Sequence, residues 1–251
     1  MSQRNSIDNS TESSFSSGNS LGKVFLVSSS RIEEFLTDNE IDCVHIKRDG
    51  IAHELFTADP SMAEGLKALM TSGFSFLFDP FGVSPQERLV SALTKLPGTV
   101  AVAESCTGGL VGEMITRVPG SSVCFWGGFL TYANEAKERL LGVARETLES
   151  YGAVSGETVS EMARGVLSAC GTDFALAVSG IAGPGGGTPE KPVGTVWLGI
   201  GSSKGDIHTK KLFLSGDRQE IRSKAAAAAL LLAESYLLSG NLDTSINWQY
   251  T

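Results

Sequence analysis

Three side chains able to attack a carbonyl stand together in "AESCTGGLVGE", residues 103–113: Ser105, Cys106 and Thr107. A hydroxyl attacks efficiently only when a neighbouring base takes its proton. The chain has three histidines, His45, His53 and His208, and two of them lie far upstream of this stretch. A zinc hydrolase or a Ser-His-Asp enzyme would have to recruit from these, so lysine is the better first choice of base. Lys137 in "TYANEAK", residues 131–137, is the candidate. With Asn134 read as the N-cap, Lys137 falls at N3, where the helix dipole disfavours an ammonium. Lowering a lysine pKa from about 10.4 to about 7.5 takes roughly 4 kcal/mol, and a helix terminus provides only about 0.3–1 kcal/mol. Burial, aided by the apolar side of Tyr132, must provide the rest. The competing reading of Lys137 is a hydrated surface residue.

Two further stretches carry groups suited to anions. In "VSGIAGPGGGTPEKPVGTVW", residues 178–197, a strand ends near Ser179 and a Gly/Pro-rich loop follows. Successive amides there can form an anion-binding nest, or the loop can be plain surface. Lys191 within it is expected to face solvent. In "SGDRQEIR", residues 215–222, Ser215 or Asp217 caps a helix, and Arg218 offers a guanidinium fork to a phosphate or carboxylate. A helix-surface ion pair is the alternative for Arg218.

The elements that must hold these groups follow from the hydrophobic pattern. Residues 1–21 are rich in Ser and Asn and read as a disordered tail, with a second tail at 241–251. Residues 22–80 form a small α/β region: "KVFLVS", "CVHIK" and "FSFLFD" are strands, while "SRIEEFL" and "PSMAEGLKALM" have helical spacing. Residues 81–240 form the main domain. Ser84, Pro85 and Glu87 start a helix as N-cap, N1 and N3. "TVAVAE", a long "SVCFWGGFLTYA", "FALAVSG", "GTVWLGIG" and "DIHTKKLFLSG" are strands, with helices at "GLVGEMITRV", "NEAKERLL", "SGETVSEMARGVLSACG" and 217–238. This order implies a three-layer α/β/α fold on a mixed sheet. In such sheets ligands bind beyond the carboxyl ends of the strands, where the opening stretch lies.

Composition narrows the function classes. A formal net charge of −8 argues against a broad nucleic-acid face. No apolar run approaches the roughly 18–20 residues of a membrane span, and "AAAAALLLA" at 225–233, flanked by Lys224 and Glu234, reads as a buried helix. The N-terminus lacks the pattern of a secretory signal, and Cys43, Cys106, Cys124 and Cys170 fit neither a disulfide framework nor a zinc site, so a cytoplasmic location is expected.

The motifs "AESCTGGL", "GSSVCFWGGFLTYANEAKERLLGV", "GAVSGETVSEMA", "VSGIAGPGGGTPEKPVGTVW" and "LFLSGDR" together resemble the CinA C-terminal domain family, over about Ser84 to Ser239. The resemblance implies hydrolysis of the carboxamide of nicotinamide mononucleotide to nicotinate mononucleotide and ammonia, a pyridine-nucleotide salvage step. Carried over by position, it makes Ser105 the nucleophile and Lys137 its base. Thr107, Gly108, Tyr132, Asn134, Ser179, Gly180 and Arg218 fall in the substrate pocket. Cys106, next to Ser105 in an extended segment, is expected to point away and pack. Backbone amides over Thr107–Gly109 would serve either the oxyanion or the phosphate. The resemblance implies no metal or organic cofactor, a small-molecule nucleotide as substrate, and a homo-oligomer. A non-catalytic nucleotide-binding or regulatory protein keeping the same pocket is the alternative. Ala133 departs from the Ser of many relatives. The stretch before the domain is too short for the molybdopterin-binding-like domain of full-length CinA proteins, so residues 22–80 read as a remnant and no pyrophosphatase activity is carried over.

Overall fold

Strand "VAVAE" is buried along its whole length, a pattern that only a strand covered on both faces produces. It forms the centre of the larger sheet. A computed structural model describes residues 20–25, 29–39, 43–48, 52–57, 63–65, 67–68, 78–79 and 81–240. The chain divides into two compact units at Ser84/Pro85.

In the first unit, β1 (Ser20–Phe25), β2 (Cys43–Arg48), β3 (Ala52–Thr57) and β4 (Phe78–Asp79) form an antiparallel sheet in the order β2-β3-β1-β4. Helix α1 covers Ser29–Asp38. The strand β3 has no counterpart among the expected elements. Ser20 and Leu21 belong to β1, with Leu21 fully buried, so the proposed tail is too long by these two residues. The remainder of that tail, residues 1–19, lies outside the described residues, as does 241–251.

The second unit contains α2 (Pro85–Lys95), β5 (Val100–Glu104), α3 (Leu110–Thr116), β6 (Phe125–Leu130), α4 (Asn134–Leu141), α5 (Arg145–Tyr151), α6 (Gly156–Cys170), β7 (Phe174–Gly180), β8 (Thr195–Ser202), β9 (Ile207–Phe213) and α7 (Arg218–Ser239). The sheet order is β6-β5-β7-β8-β9. Pairings β5–β6 and β5–β7 are parallel, β7–β8 and β8–β9 antiparallel. The mixed sheet and its helical layers are those expected.

Side-chain size along the strands sorts the helices. Ala101, Ala103, Ala175 and Ala177 share one face with Val159, Met162, Ala163 and Val166 of α6. A β-carbon on Gly199 would lie 2.7 Å from Val159 O, so α6 seats almost on the sheet backbone. The opposite face carries α7, whose residues Ala225–Ala233 are all buried beneath α2 and α3. An all-round apolar helix of this kind is a core helix. Arg88 of α2 donates from Nε to Glu234 Oε1 of α7 at 3.1 Å, and its Nη2 lies 2.7 Å from Oε2 as an ion pair. Among the described residues no helix is long and apolar enough to cross a membrane.

The expected long strand "SVCFWGGFLTYA" is shorter in the structure. Ser121–Val123 form a 3-10 turn, and β6 starts at Phe125. Trp126 is an extra residue in the register, since Val100 pairs with Phe125 and Ala101 with Gly127. Gly128 is forced: a β-carbon there would collide with Val102 of β5.

Candidate active site

Three parallel strands end together. Beyond Glu104, Ser105 N–H donates to Val178 O at 3.0 Å, and beyond Leu130, Thr131 N–H donates to Glu104 O at 2.8 Å. The chain leaves β5 for β6 on one side and later adds β7 on the other. The carboxyl end of β5 is therefore the point where strand order reverses, the usual place for a ligand in an open α/β sheet. A cavity of ≈ 250 Å³ opens there, lined by Ser105, Cys106, Tyr132, Lys137, Ser179, Gly180 and Arg218, with walls from Ala153–Val154 and from Ile181–Gly183, Gly185 and Gly186. Two other cavities, ≈ 310 and ≈ 370 Å³, sit by Ser202 and Ser203, at the opposite end of the sheet from Ser105 and Lys137.

Lys137 is fully buried. Its Nζ donates to Thr131 O at 2.6 Å and Tyr132 O at 3.3 Å, and lies 3.1 Å from Ser105 Oγ. Burial pulls its pKa down from 10.5 to about 8, the direction and cause that a lysine base requires. In the uncharged amine the two carbonyls take both N–H bonds, which leaves the lone pair to receive the Ser105 proton. The N-cap of α4 is Ala133, with no side-chain cap, so Asn134 is the first helical residue and Lys137 the fourth. Asn134 is exposed and does not line the cavity, contrary to its expected place in the pocket. Tyr132 lines the cavity, but the residue is 68 % exposed and cannot be what dries Lys137. The sheet end does that instead. Helix α4 is held by left-handed Gly142 at its C-terminus and by Gly165 of α6, where any side chain would strike Leu141 O.

Glu104 was not among the candidates. It is buried, and its carboxylate accepts from Gly109 N–H (3.0 Å), Val111 N–H (3.1 Å) and Gly112 N–H (2.9 Å). A carboxylate thus caps the first turn of α3 from within the chain. The Gly108 amide donates to Ser105 O at 3.2 Å. Of the amides expected to serve an oxyanion or a phosphate, those of Gly108 and Gly109 are engaged. The Thr107 amide, and that of Cys106 before the expected stretch, make no hydrogen bond to another residue among the described residues. Gly108 takes φ +61 and shapes the turn without lining the cavity. Thr107 also stays out of the lining: its side chain is fully buried. Cys106 is buried but does border the cavity, because residues 105–109 are a turn and strand alternation ends at Glu104. Burial pushes its thiol up to about 12, so it is protonated at any ordinary pH.

Arg222, one turn after Arg218 on α7, was also missed. Its Nε donates to Cys106 O at 3.2 Å and its Nη2 to Thr107 O at 2.8 Å. The spacing of four from Arg218 on the same helix face was the available signal. Arg218 reaches the cavity, where Nη1 donates to Gly183 O at 2.6 Å and other N–H groups of its fork remain. Asp217, not Ser215, caps α7, with Glu220 closing a capping box. Ser179 Oγ donates to Ala153 O at 2.7 Å and ties a wall to β7. Lys191 does not simply face solvent: its Nζ donates to Tyr151 O (2.6 Å) and Val154 O (2.8 Å), fastening the glycine loop to the end of α5 and the segment after it.

Residues 83–237 match the CinA C-terminal domain. The nicotinamide-nucleotide amidohydrolase PncC of Escherichia coli K12 is 50% identical over 144 residues, 57% of this chain and 87% of that protein. A putative competence-damage inducible protein of Thermoanaerobacter sp. X514 is 51% identical over 158 residues, and there the match spans 38% of the relative's length. Among solved structures, competence/damage inducible protein CihA of Agrobacterium tumefaciens superposes with a TM-score of 0.57 at 44% identity, over 58% of this chain and 89% of that one. A CinA superfamily protein of Klebsiella pneumoniae gives 0.59 at 34% identity, over 61% and 96%. The match covers the unit that builds the cavity, and on it the chain belongs to the CinA C-terminal domain family.

Proposed function

We propose that this chain hydrolyses the carboxamide of nicotinamide mononucleotide, with Ser105 as nucleophile and Lys137 as base. The observation that carries the reading is the 3.1 Å contact between Ser105 Oγ and a fully buried Lys137 Nζ whose pKa burial lowers to about 8. Relatives named as nicotinamide-nucleotide amidohydrolases, about half identical and covered over most of their length, support this choice of substrate.

The uncharged amine takes the Ser105 proton as Oγ adds to the carboxamide carbon. The ammonium then returns that proton to the departing nitrogen. The carbon–nitrogen bond breaks, ammonia leaves, and the nicotinoyl group stays esterified to Ser105. Water, deprotonated by Lys137, adds to the ester; carboxylate leaves and the hydroxyl is restored. The balance is one carboxamide and one water for one carboxylate and one ammonium. Gly185, Gly186 and Arg218 line the same cavity, and the two amides with the remaining N–H groups of the Arg218 fork suit a phosphate. Ser179 and Gly180 also line the cavity, and Gly180 has no room for a side chain, since a β-carbon there would lie 2.7 Å from Val196 and 3.1 Å from Cys106 Sγ.

The test is ammonia release from nicotinamide mononucleotide, with free nicotinamide as the control substrate. Turnover of the nucleotide that disappears in Ser105→Ala is expected. Tight nucleotide binding without turnover would instead make the chain a binding protein that keeps the pocket.

A further inference from the structure

Addition to a carbonyl puts negative charge on its oxygen, and the serine–lysine pair offers that oxygen no donor. Of the amides in the turn around Ser105, those of Cys106 and Thr107 make no hydrogen bond to another residue among the described residues, and Cys106 also borders the cavity. Their freedom has a cause on the opposite side of each peptide. In a trans peptide the C=O and N–H of one unit point in opposite directions. The Cys106–Thr107 unit is held by its oxygen, which accepts from Arg222 Nε at 3.2 Å. The Thr107–Gly108 unit is held by its oxygen on Arg222 Nη2 at 2.8 Å. Its N–H in turn reaches Ser105 O at 3.2 Å, which fixes the Ser105–Cys106 unit and with it the Cys106 amide. One guanidinium thus sets three successive peptide planes. Ser105 and Cys106 border the cavity and Arg222 does not, so the fork grips the turn from its outer side.

We propose that Arg222 is a positioning residue for acyl transfer: by holding the carbonyl oxygens of Cys106 and Thr107 on the α7 side, it fixes the turn so that the Cys106 amide, at the edge of the cavity, is the oxyanion donor. The inference rests on the amidase reading for its natural substrate. Its chemistry is wider, because any acyl group passing through Ser105 forms the same oxyanion.

The test uses the full chain with Arg222→Met and Arg222→Lys, assayed on nicotinamide mononucleotide and on p-nitrophenyl acetate. Losing a preorganised oxyanion donor costs on the order of 10²-fold in kcat, and Arg222→Met is expected to show a loss of that size on both compounds. KM and the position of the pH limb set by Lys137 should not move. Arg222→Lys, which supplies one charge without the fork, should fall between Met and wild type. If the Met variant does not fold, the Lys variant carries the same readouts, together with partial rescue of Arg222→Ala by added guanidinium. Unchanged kcat in folded variants, a rise in KM alone, or a displaced pH limb would overturn the proposal. A wild-type chain that cleaves the ester but not the nucleotide overturns the substrate and leaves Arg222 testable; one acylated by neither overturns both.

Discussion

Replacing Lys137 by methionine separates its two effects. A lysine whose folded pKa is about 8 against 10.5 unfolded destabilises the fold at neutral pH, by an upper bound of about 3 kcal/mol. The penalty is complete below the folded value and disappears as pH rises through the unfolded one, because the unfolded chain holds the extra proton in that window. Lys137→Met should therefore be inactive and, below pH 8, at least as stable as wild type. Urea unfolding across pH should show the stability difference shifting toward wild type as pH rises. The neighbouring thiol gives a second test. Cys106→Ala should keep most of the ammonia release that Ser105→Ala loses, since a buried protonated thiol neither attacks nor gives up a proton. Loss confined to the cysteine variant would reverse their roles.

At the scale of elements, what the sequence shows is what local pattern controls. The buried run of β5, the capping box at Asp217 and the Ala-rich α7 are periodicity and capping, and each can be read directly from the sequence. Ser105 and Lys137 follow from residue type and family motif. Asn134 misleads because a good capping residue one position inside a helix looks the same in sequence as a cap. Trp126 is a register irregularity, which period-2 reading cannot see. Glu104 and Arg222 act on amides and carbonyls of the 105–112 turn, and for Arg222 those lie 115 and 116 residues away in sequence. Such partners exist only once the sheet and α7 have met. Glu104→Ala would leave three amides of α3 without their acceptor, and a stability loss of about 3 kcal/mol or more is expected by chemical denaturation. Gly165→Ala should push α4 off α6 and carry Lys137 away from Ser105, lowering kcat together with stability.

For the whole molecule, the site draws on β5, β6, β7, α4, the glycine loop and the start of α7, all within the unit Pro85–Gln249. The E. coli amidohydrolase matches this chain over 87% of its own length, so nearly all of that protein corresponds to this unit. A chain beginning at Pro85 is expected to keep ammonia release within a few-fold of the full chain. A large loss, with the fold intact by circular dichroism, would assign the first unit a part in catalysis.

If an uncharged amine at Lys137 takes the Ser105 proton, its titration in the free enzyme must govern the pH dependence of kcat/KM for ammonia release. Activity should rise with pH through a single limb near the burial-lowered lysine value of about 8, absent in Lys137→Met. A profile with no limb between the ordinary histidine and lysine ranges, or an unaltered limb in the variant, would contradict that role of the amine.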